Sequence, residues 1–167
     1  MNKRNIILIG MPGAGKSSVG VILAKVLGYE FIDTDLVIQH REKRLLREII
    51  ADEGNEGFLA IENEVNATLE ADKSVIAPGG SAIYGKEAME HFKEIGTIVY
   101  LKLSYEDLAK RLGNLKGRGV VLKEGQTLKD LYDERSKLYE QYAEITVDES
   151  GRDIQGTILA LCEQIGM

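Results

Sequence analysis

The chain has 167 residues, of which 44% are hydrophobic, and its formal net charge at pH 7 is −6. This length predicts one domain over residues 1–167, with an ordinary buried core. The acidic balance argues against nucleic-acid and membrane-surface partners. No apolar run approaches the roughly 18 residues of a membrane span. The start, Met1–Arg4, runs into a strand rather than a signal peptide, so a cytoplasmic protein is expected.

The segment Gly10–Ser17 (GMPGAGKS) follows the apolar run Ile6–Ile9 and matches the phosphate-loop pattern. Backbone N–H groups of such a loop surround phosphate oxygens, and a helix predicted over Ser18–Leu27 adds its positive end. Lys16 supplies charge for the β- and γ-phosphates, and Ser17 supplies a hydroxyl ligand for Mg²⁺. We therefore predict a nucleoside triphosphate site formed by Gly13, Ala14, Gly15, Lys16, Ser17 and Ser18.

Short strand-like runs near residues 5–9, 30–32, 74–77, 97–101 and 145–147 alternate with helical stretches. This alternation predicts a three-layer α/β domain with a five-stranded, mostly parallel sheet, which together with the phosphate loop is the P-loop NTPase fold. Further helices are expected over Leu36–Ala51, Phe58–Glu70, Gly85–Glu94, Leu128–Tyr142 and Ile154–Ile165. The first helix is expected to turn an apolar stripe inward, formed by Val19, Ile22, Leu23 and Val26.

Charged and glycine residues follow two of the strands. Asp33 and Asp35 come at the end of the second strand, where a carboxylate holds Mg²⁺ or accepts a substrate proton. An N-cap for the next helix is an equally good explanation. Gly79 and Gly80 follow the third strand and indicate close approach of the backbone to a ligand or to a neighbouring element, with a plain turn as the alternative. Ligands of such sheets bind at this carboxyl edge.

Residues 113–125 contain four glycines and three basic residues. This composition favours a mobile, cationic lid that closes over phosphates, with Arg118 as its charge. An ordinary surface loop is the alternative.

Taken in order, these features resemble the shikimate kinase family over nearly the whole chain. The resemblance implies ATP as co-substrate, Mg²⁺ as cofactor, and phosphorylation of a hydroxyl on a small anionic polyhydroxy acid. A monomer is expected as well. The motifs that carry the resemblance are the phosphate loop, Asp33-Thr34-Asp35, Gly54-Asn-Glu-Gly-Phe58, Glu62, Gly79-Gly80, Arg118 and Arg135-Ser-Lys-Leu-Tyr139.

The resemblance also implies roles. On the nucleotide side, Asp33 joins Ser17 at Mg²⁺, Arg118 stabilises the moving phosphoryl group together with Lys16, and Arg111 stacks on adenine.

On the acceptor side, Asp35 contacts the accepting hydroxyl, Gly79 and Gly80 line the pocket, and Arg135 grips the substrate carboxylate. Glu62 is expected to face the same pocket.

The acceptor side departs from the family pattern. Leu59 stands where the family has an arginine that helps bind the carboxylate, which leaves Glu62 without its usual partner. Ser81 replaces a third glycine, and the lid reads Arg118-Gly-Val-Val instead of Arg-Pro-Leu-Leu. Phosphorylation of shikimate to shikimate 3-phosphate is the expected reaction. The alternatives are a kinase of another sugar acid or polyol, and a nucleotide-binding protein without this activity.

Overall fold

The computed structural model describes residues 4–113 and 124–166. Its sheet has five strands in the order β2-β3-β1-β4-β5, and every pairing between neighbours is parallel. The predicted α/β architecture and five-stranded sheet are thus confirmed. The strands are β1 (Asn5–Ile9), β2 (Glu30–Asp33), β3 (Ser74–Ala77), β4 (Gly96–Lys102) and β5 (Ile145–Asp148).

Helices cover both faces of the sheet, because successive strand residues point to opposite sides. One face packs Ile7 and Ile9 against α4 to α6, and the other packs Ile6 and Leu8 against α1 and α7. The described helices are α1 (Lys16–Leu27), α2 (Thr34–Glu42), α3 (Leu46–Ala67), α4 (Lys86–Ile95), α5 (Tyr105–Gly113), α6 (Leu128–Tyr142) and α7 (Ile154–Gln164), with a short 3-10 helix at Ala82–Tyr84.

The order of the strands fixes where ligands bind. β1 lies in the middle of the sheet, with β3 on one side and β4 on the other. The chain therefore crosses over at β1, and this point at the carboxyl edge is where open parallel sheets bind their ligands. The phosphate loop begins there, directly after Ile9.

One helix prediction was wrong. The stretch Leu36–Ala51 is not one helix, because Lys43 adopts a left-handed conformation with φ 54° and ends α2. Periodicity does not reveal this end, since it depends on the backbone conformation of a single residue. The helix break expected near residues 53–57 is present as a kink at Gly54, whose φ of 73° is non-helical, within the range of α3.

The apolar stripe of α1 was also partly wrong. Val19 and Leu23 are buried as expected, but Ile22 and Val26 are exposed. The buried face is set by Gly20 instead, where a Cβ atom would lie only 2.6 Å from the Phe31 ring. Without a side chain at Gly20, α1 packs closely against β2.

No helix in the described ranges combines the length and the hydropathy that a membrane crossing requires.

Candidate active site

The phosphate loop joins β1 to α1, and its carbonyl oxygens hold the Lys16 side chain. Gly13 and Gly15 have φ angles of 89° and 80°, which favour glycine. The buried Lys16 donates from Nζ to the carbonyl oxygens of Gly10 (2.7 Å) and Met11 (2.9 Å). The loop thus places its ammonium group at the N-terminus of a 12-residue helix, which is where anions bind.

The two aspartates after β2 have different positions. Asp33 is the N-cap of α2, and its Oδ1 accepts from the backbone N–H of Asp35 at 3.0 Å. Asp35 lies in the first turn and is half-buried. Burial, and next the charge of Asp33, raises its pKa to about 6, although Lys16 opposes this. Asp35 is therefore a carboxylate at neutral pH with a strengthened affinity for a proton.

The donor set suits Mg²⁺. Ser17 is exposed at the start of α1, and Asp33 offers a carboxylate at the same edge of the sheet. No group of three or more His, Cys, Asp or Glu side chains able to hold a metal ion occurs within residues 4–113 and 124–166. Mg²⁺ at kinase sites needs no such cage, since one or two protein oxygens, water and the phosphates coordinate it.

Gly79 and Gly80 bring side chains from three helices to one point. A Cβ atom on Gly79 would lie 3.0 Å from Asp35 Oδ1 and 3.0 Å from Glu62 Oε2. A Cβ atom on Gly80 would lie 2.7 Å from Pro12 and 2.9 Å from Arg135 Nη1. The glycine pair is therefore a place of close approach, and a plain turn does not describe it.

Glu62 is 1% exposed and receives a hydrogen bond of 2.6 Å from Ser81 Oγ to its Oε1. Its Oε2 has no hydrogen-bond partner in the described part of the chain. Burial raises the pKa of Glu62 to about 7, and the charge of Asp35 adds to this, while Ser81, Arg135 and Lys16 oppose it. An orphaned polar oxygen at this depth indicates a place for a ligand.

Arg135 approaches the pocket from α6 and is 2% exposed. Its guanidinium lies over the Tyr84 ring, with 5.5 Å from Cζ to the ring centroid. Nε has no hydrogen-bond partner among the residues described, and none of their carboxylates forms an ion pair with it. A buried cation that forms no ion pair within the two described ranges favours an anionic ligand.

Of the two further arginines predicted at the site, only one lies in the described part of the chain. Arg111, on α5, donates from Nη1 to the carbonyl oxygen of Gly13 at 3.0 Å, so it lies against the phosphate loop. Its stacking on adenine stays a prediction. Arg118 and most of the predicted lid lie outside the described residues.

Three residues here were not assigned roles by sequence reasoning. Ser81 binds Glu62, as described above, and Tyr139 donates from its hydroxyl to the carbonyl oxygen of Gly80 at 2.7 Å. Glu149 lies buried beside the phosphate loop. The signals existed, since Tyr139 is four residues after Arg135 on one helix and Glu149 directly follows β5, but charge and spacing alone did not distinguish them from surface residues.

The sequence matches known proteins over most of its length. A model of the family described as shikimate kinase matches residues 12–165. Shikimate kinase from Vibrio cholerae is 36% identical over 168 residues, with 97% of each chain covered. Shikimate kinase 2 from Yersinia enterocolitica is 34% identical over 154 residues, which cover 87% of this chain and 86% of the relative.

Solved structures agree. Shikimate kinase from Acinetobacter baumannii in complex with shikimate superposes with a TM-score of 0.86 at 32% identity. The match covers 98% of this chain and 93% of that one.

Proposed function

This chain belongs to the shikimate kinase family, and we propose that it transfers the γ-phosphoryl group of ATP to a ring hydroxyl of shikimate, giving shikimate 3-phosphate and ADP. Its class, a phosphotransferase with an alcohol acceptor, follows from the family. One observation supports the acceptor most directly. The buried Arg135 lies within reach of Gly80, in the same pocket as the Asp35 carboxylate.

The nucleotide is held by the chain's own backbone and cations. The loop over Gly13–Ser18 binds the phosphates, and Lys16 exchanges its carbonyl partners for β- and γ-phosphate oxygens. When bound, Mg²⁺ neutralises charge on the phosphates, and Ser17 and Asp33 are the residues that would hold it. Arg118 of the lid adds positive charge during transfer, as the family resemblance implies.

Asp35 orients the accepting hydroxyl and takes its proton. Because its pKa is raised only to about 6, the carboxylate is ionised at neutral pH and still accepts a proton readily. Phosphoryl transfer passes through a loose transition state, in which positioning and electrostatics supply most of the acceleration. Asp35 supplies the positioning, and Lys16 and Arg118 supply the positive charge.

Arg135 binds the carboxylate of the acid by charge-assisted hydrogen bonds. Gly79 and Gly80 allow the substrate ring to approach the backbone, and Glu62 offers its orphaned Oε2 to a ring hydroxyl. Tyr139 keeps the Gly80 carbonyl in place through its hydroxyl.

A second acceptor is favoured by one observation. Leu59 packs partly buried against the apolar cluster of Ile38, Ile49, Phe58 and Val65, so the arginine of the family pattern has no counterpart there. A different polyhydroxy acid, whose carboxylate is bound by Arg135 without a second cation, is the alternative acceptor. Leu59→Arg tests the difference, because it should lower the KM for shikimate if the missing cation matters.

The test is ADP release from MgATP with shikimate, compared with a panel of polyhydroxy acids. Arg135→Met should raise the KM for the acid at least ~10-fold, as loss of a charge-assisted contact requires, and should leave the KM for ATP near the wild-type value. An equal rise in both constants would contradict this division of the site.

The protein is also expected to be a single-domain cytoplasmic monomer without nucleic-acid or membrane partners. Sedimentation of the purified chain tests whether it is a monomer.

A further inference from the structure

Besides Asp35 and Glu62, a third buried carboxyl group lies at the nucleotide side, away from the acceptor pocket. Glu149 follows β5 at the carboxyl edge of the sheet, and its backbone N–H donates to the carbonyl oxygen of Lys102 at 2.9 Å. This pairing continues the strand ladder by one residue, so the position of Glu149 is fixed by the sheet. The side chain is 5% exposed.

Glu149 is directed at the phosphate cradle. A Cβ atom on Gly15, the N-cap of α1, would lie 3.9 Å from Glu149 Oε1 and 3.8 Å from Arg111 Nη1. Glu149 Oε2 has no hydrogen-bond partner within the two described ranges. A carboxyl group that is unsatisfied and buried at the anion-binding end of a helix is costly unless a ligand or a proton completes it.

The surroundings of Glu149 favour its neutral form once an anion arrives. Burial raises its pKa to about 7, and Asp148 adds to this, while Arg111 on α5 and Lys16 on α1 lower it. Phosphates bound in the cradle compete for these two cations and add negative charge nearby. Both effects make the carboxylate less stable, since a like charge within about 4–6 Å disfavours ionisation.

We propose that Glu149 is a proton-linked determinant of nucleotide affinity: nucleotide binds to the form with a neutral Glu149 carboxyl, so that binding at pH 8 takes up close to one proton from solvent. In this equilibrium, the enzyme with an ionised Glu149 combines with one nucleotide and one proton. The product is the nucleotide-bound enzyme with a neutral Glu149. The inference rests on the proposed function only in that the cradle must bind a nucleotide.

Nucleotide affinity should therefore decrease as the pH rises. Below the pKa of free Glu149 the carboxyl is already neutral, and affinity does not depend on pH. Above it, each binding event must first protonate the group, so the dissociation constant rises by up to about tenfold per pH unit. A terminal phosphate loses its second proton near pH 6, so measurements between pH 7 and 9 report on the protein.

The test is isothermal titration of ADP into the protein at pH 7, 8 and 9. For the wild type we expect the Kd to rise about tenfold or more over this range. Glu149→Gln, which is isosteric and always neutral, should show a nearly constant Kd. Glu163→Gln removes an exposed carboxylate of α7 and should behave like the wild type.

A second measurement does not depend on any variant. Titrations of the wild type at pH 8 in buffers of different ionisation enthalpy count the protons exchanged, and net uptake is expected. Zero uptake, or the same pH dependence in Glu149→Gln as in the wild type, would overturn the inference while leaving the kinase assignment intact. Absence of ADP binding to the wild type at every pH would count against the proposed function itself.

Discussion

Three carboxyl groups around the candidate phosphate and acceptor sites are weaker acids than surface carboxyl groups. Burial is the largest cause in each case, and it raises the pKa of Asp35 to about 6 and those of Glu62 and Glu149 to about 7. Such groups change charge close to neutral pH, so small changes in their surroundings alter what they bind.

The first consequence concerns Asp35 and the rate. Because Asp35 is proposed to take the proton of the accepting hydroxyl, turnover should require its carboxylate. In Glu62→Gln, where position 62 cannot titrate, kcat/KM for the acid should be constant above about pH 7 and fall as the pH drops below about 6. Asp35→Asn should lower kcat by roughly 10²–10⁴-fold, the usual contribution of a positioned base. Steady-state ADP release across pH 5–9 measures both. A variant with wild-type kcat would remove Asp35 from the chemistry.

The second concerns Ser81 and its bond to Glu62. Because the Ser81 hydroxyl donates to the Glu62 carboxylate, it stabilises the charged form and lowers the pKa. Ser81→Ala should therefore raise the pKa of Glu62, and the pH dependence of the KM for the acid should move to higher pH. Ser104→Ala, in the cap of α5, is the control. Identical profiles for Ser81→Ala and wild type would show that Glu62 does not contact the acid.

Among the elements, the turn after β3 holds the site together. It brings Gly80 against Pro12 of the phosphate loop and against Arg135 of α6. Gly80→Ala adds a methyl group where Pro12 and the guanidinium already lie, so both must move. We expect weaker binding of nucleotide and acid alike. Gly156→Ala in α7 lies outside the site and should be near wild type in both constants, and equal behaviour of the two variants would refute the close approach.

The elements also show what the sequence reveals and what it does not. Strand positions were predictable, because apolar runs such as Ile6–Ile9 are bounded by glycine and polar residues. The kink at Gly54 was predictable too, because glycine readily adopts positive φ. The end of α2 at Lys43 was not, since it depends on a positive φ angle at a residue type that rarely adopts one.

The sequence predicts which residues form the candidate site, but not how they contact one another. The phosphate loop and Asp35 follow strands, so the sequence predicts them at the carboxyl edge of the sheet, whereas the pocket role of Arg135 is implied only by the resemblance to the family. The Ser81–Glu62 bond and the burial of Glu149 are contacts between distant segments. No local pattern in the chain carries that information.

Across the whole molecule, buried acids reduce stability as the pH rises. Glu62 has a higher pKa in the folded chain than in the unfolded one, so between about pH 4.5 and 7 the folded state binds more protons. The free energy of unfolding therefore falls with rising pH in that window, by at most roughly 3 kcal/mol for this group.

Glu62→Gln removes this contribution. Its free energy of unfolding relative to the wild type should increase between pH 5 and pH 8, as measured by urea denaturation. Glu163→Gln, an exposed site on α7, should follow the wild type at both pH values. A constant difference between Glu62→Gln and wild type would mean that Glu62 titrates alike in the folded and unfolded chains.

The most direct test of the account is the identity of the phosphorylated product. The wild type, incubated with MgATP and shikimate, should form ADP and a phosphorylated acid in equal amounts, detected by mass spectrometry. Lys16→Ala should form neither, because the cation at the phosphates is lost. Equal amounts in the wild type, with none in the variant, are the result predicted here. ADP formation without phosphorylated shikimate, or turnover confined to a different acid, would contradict the assigned acceptor.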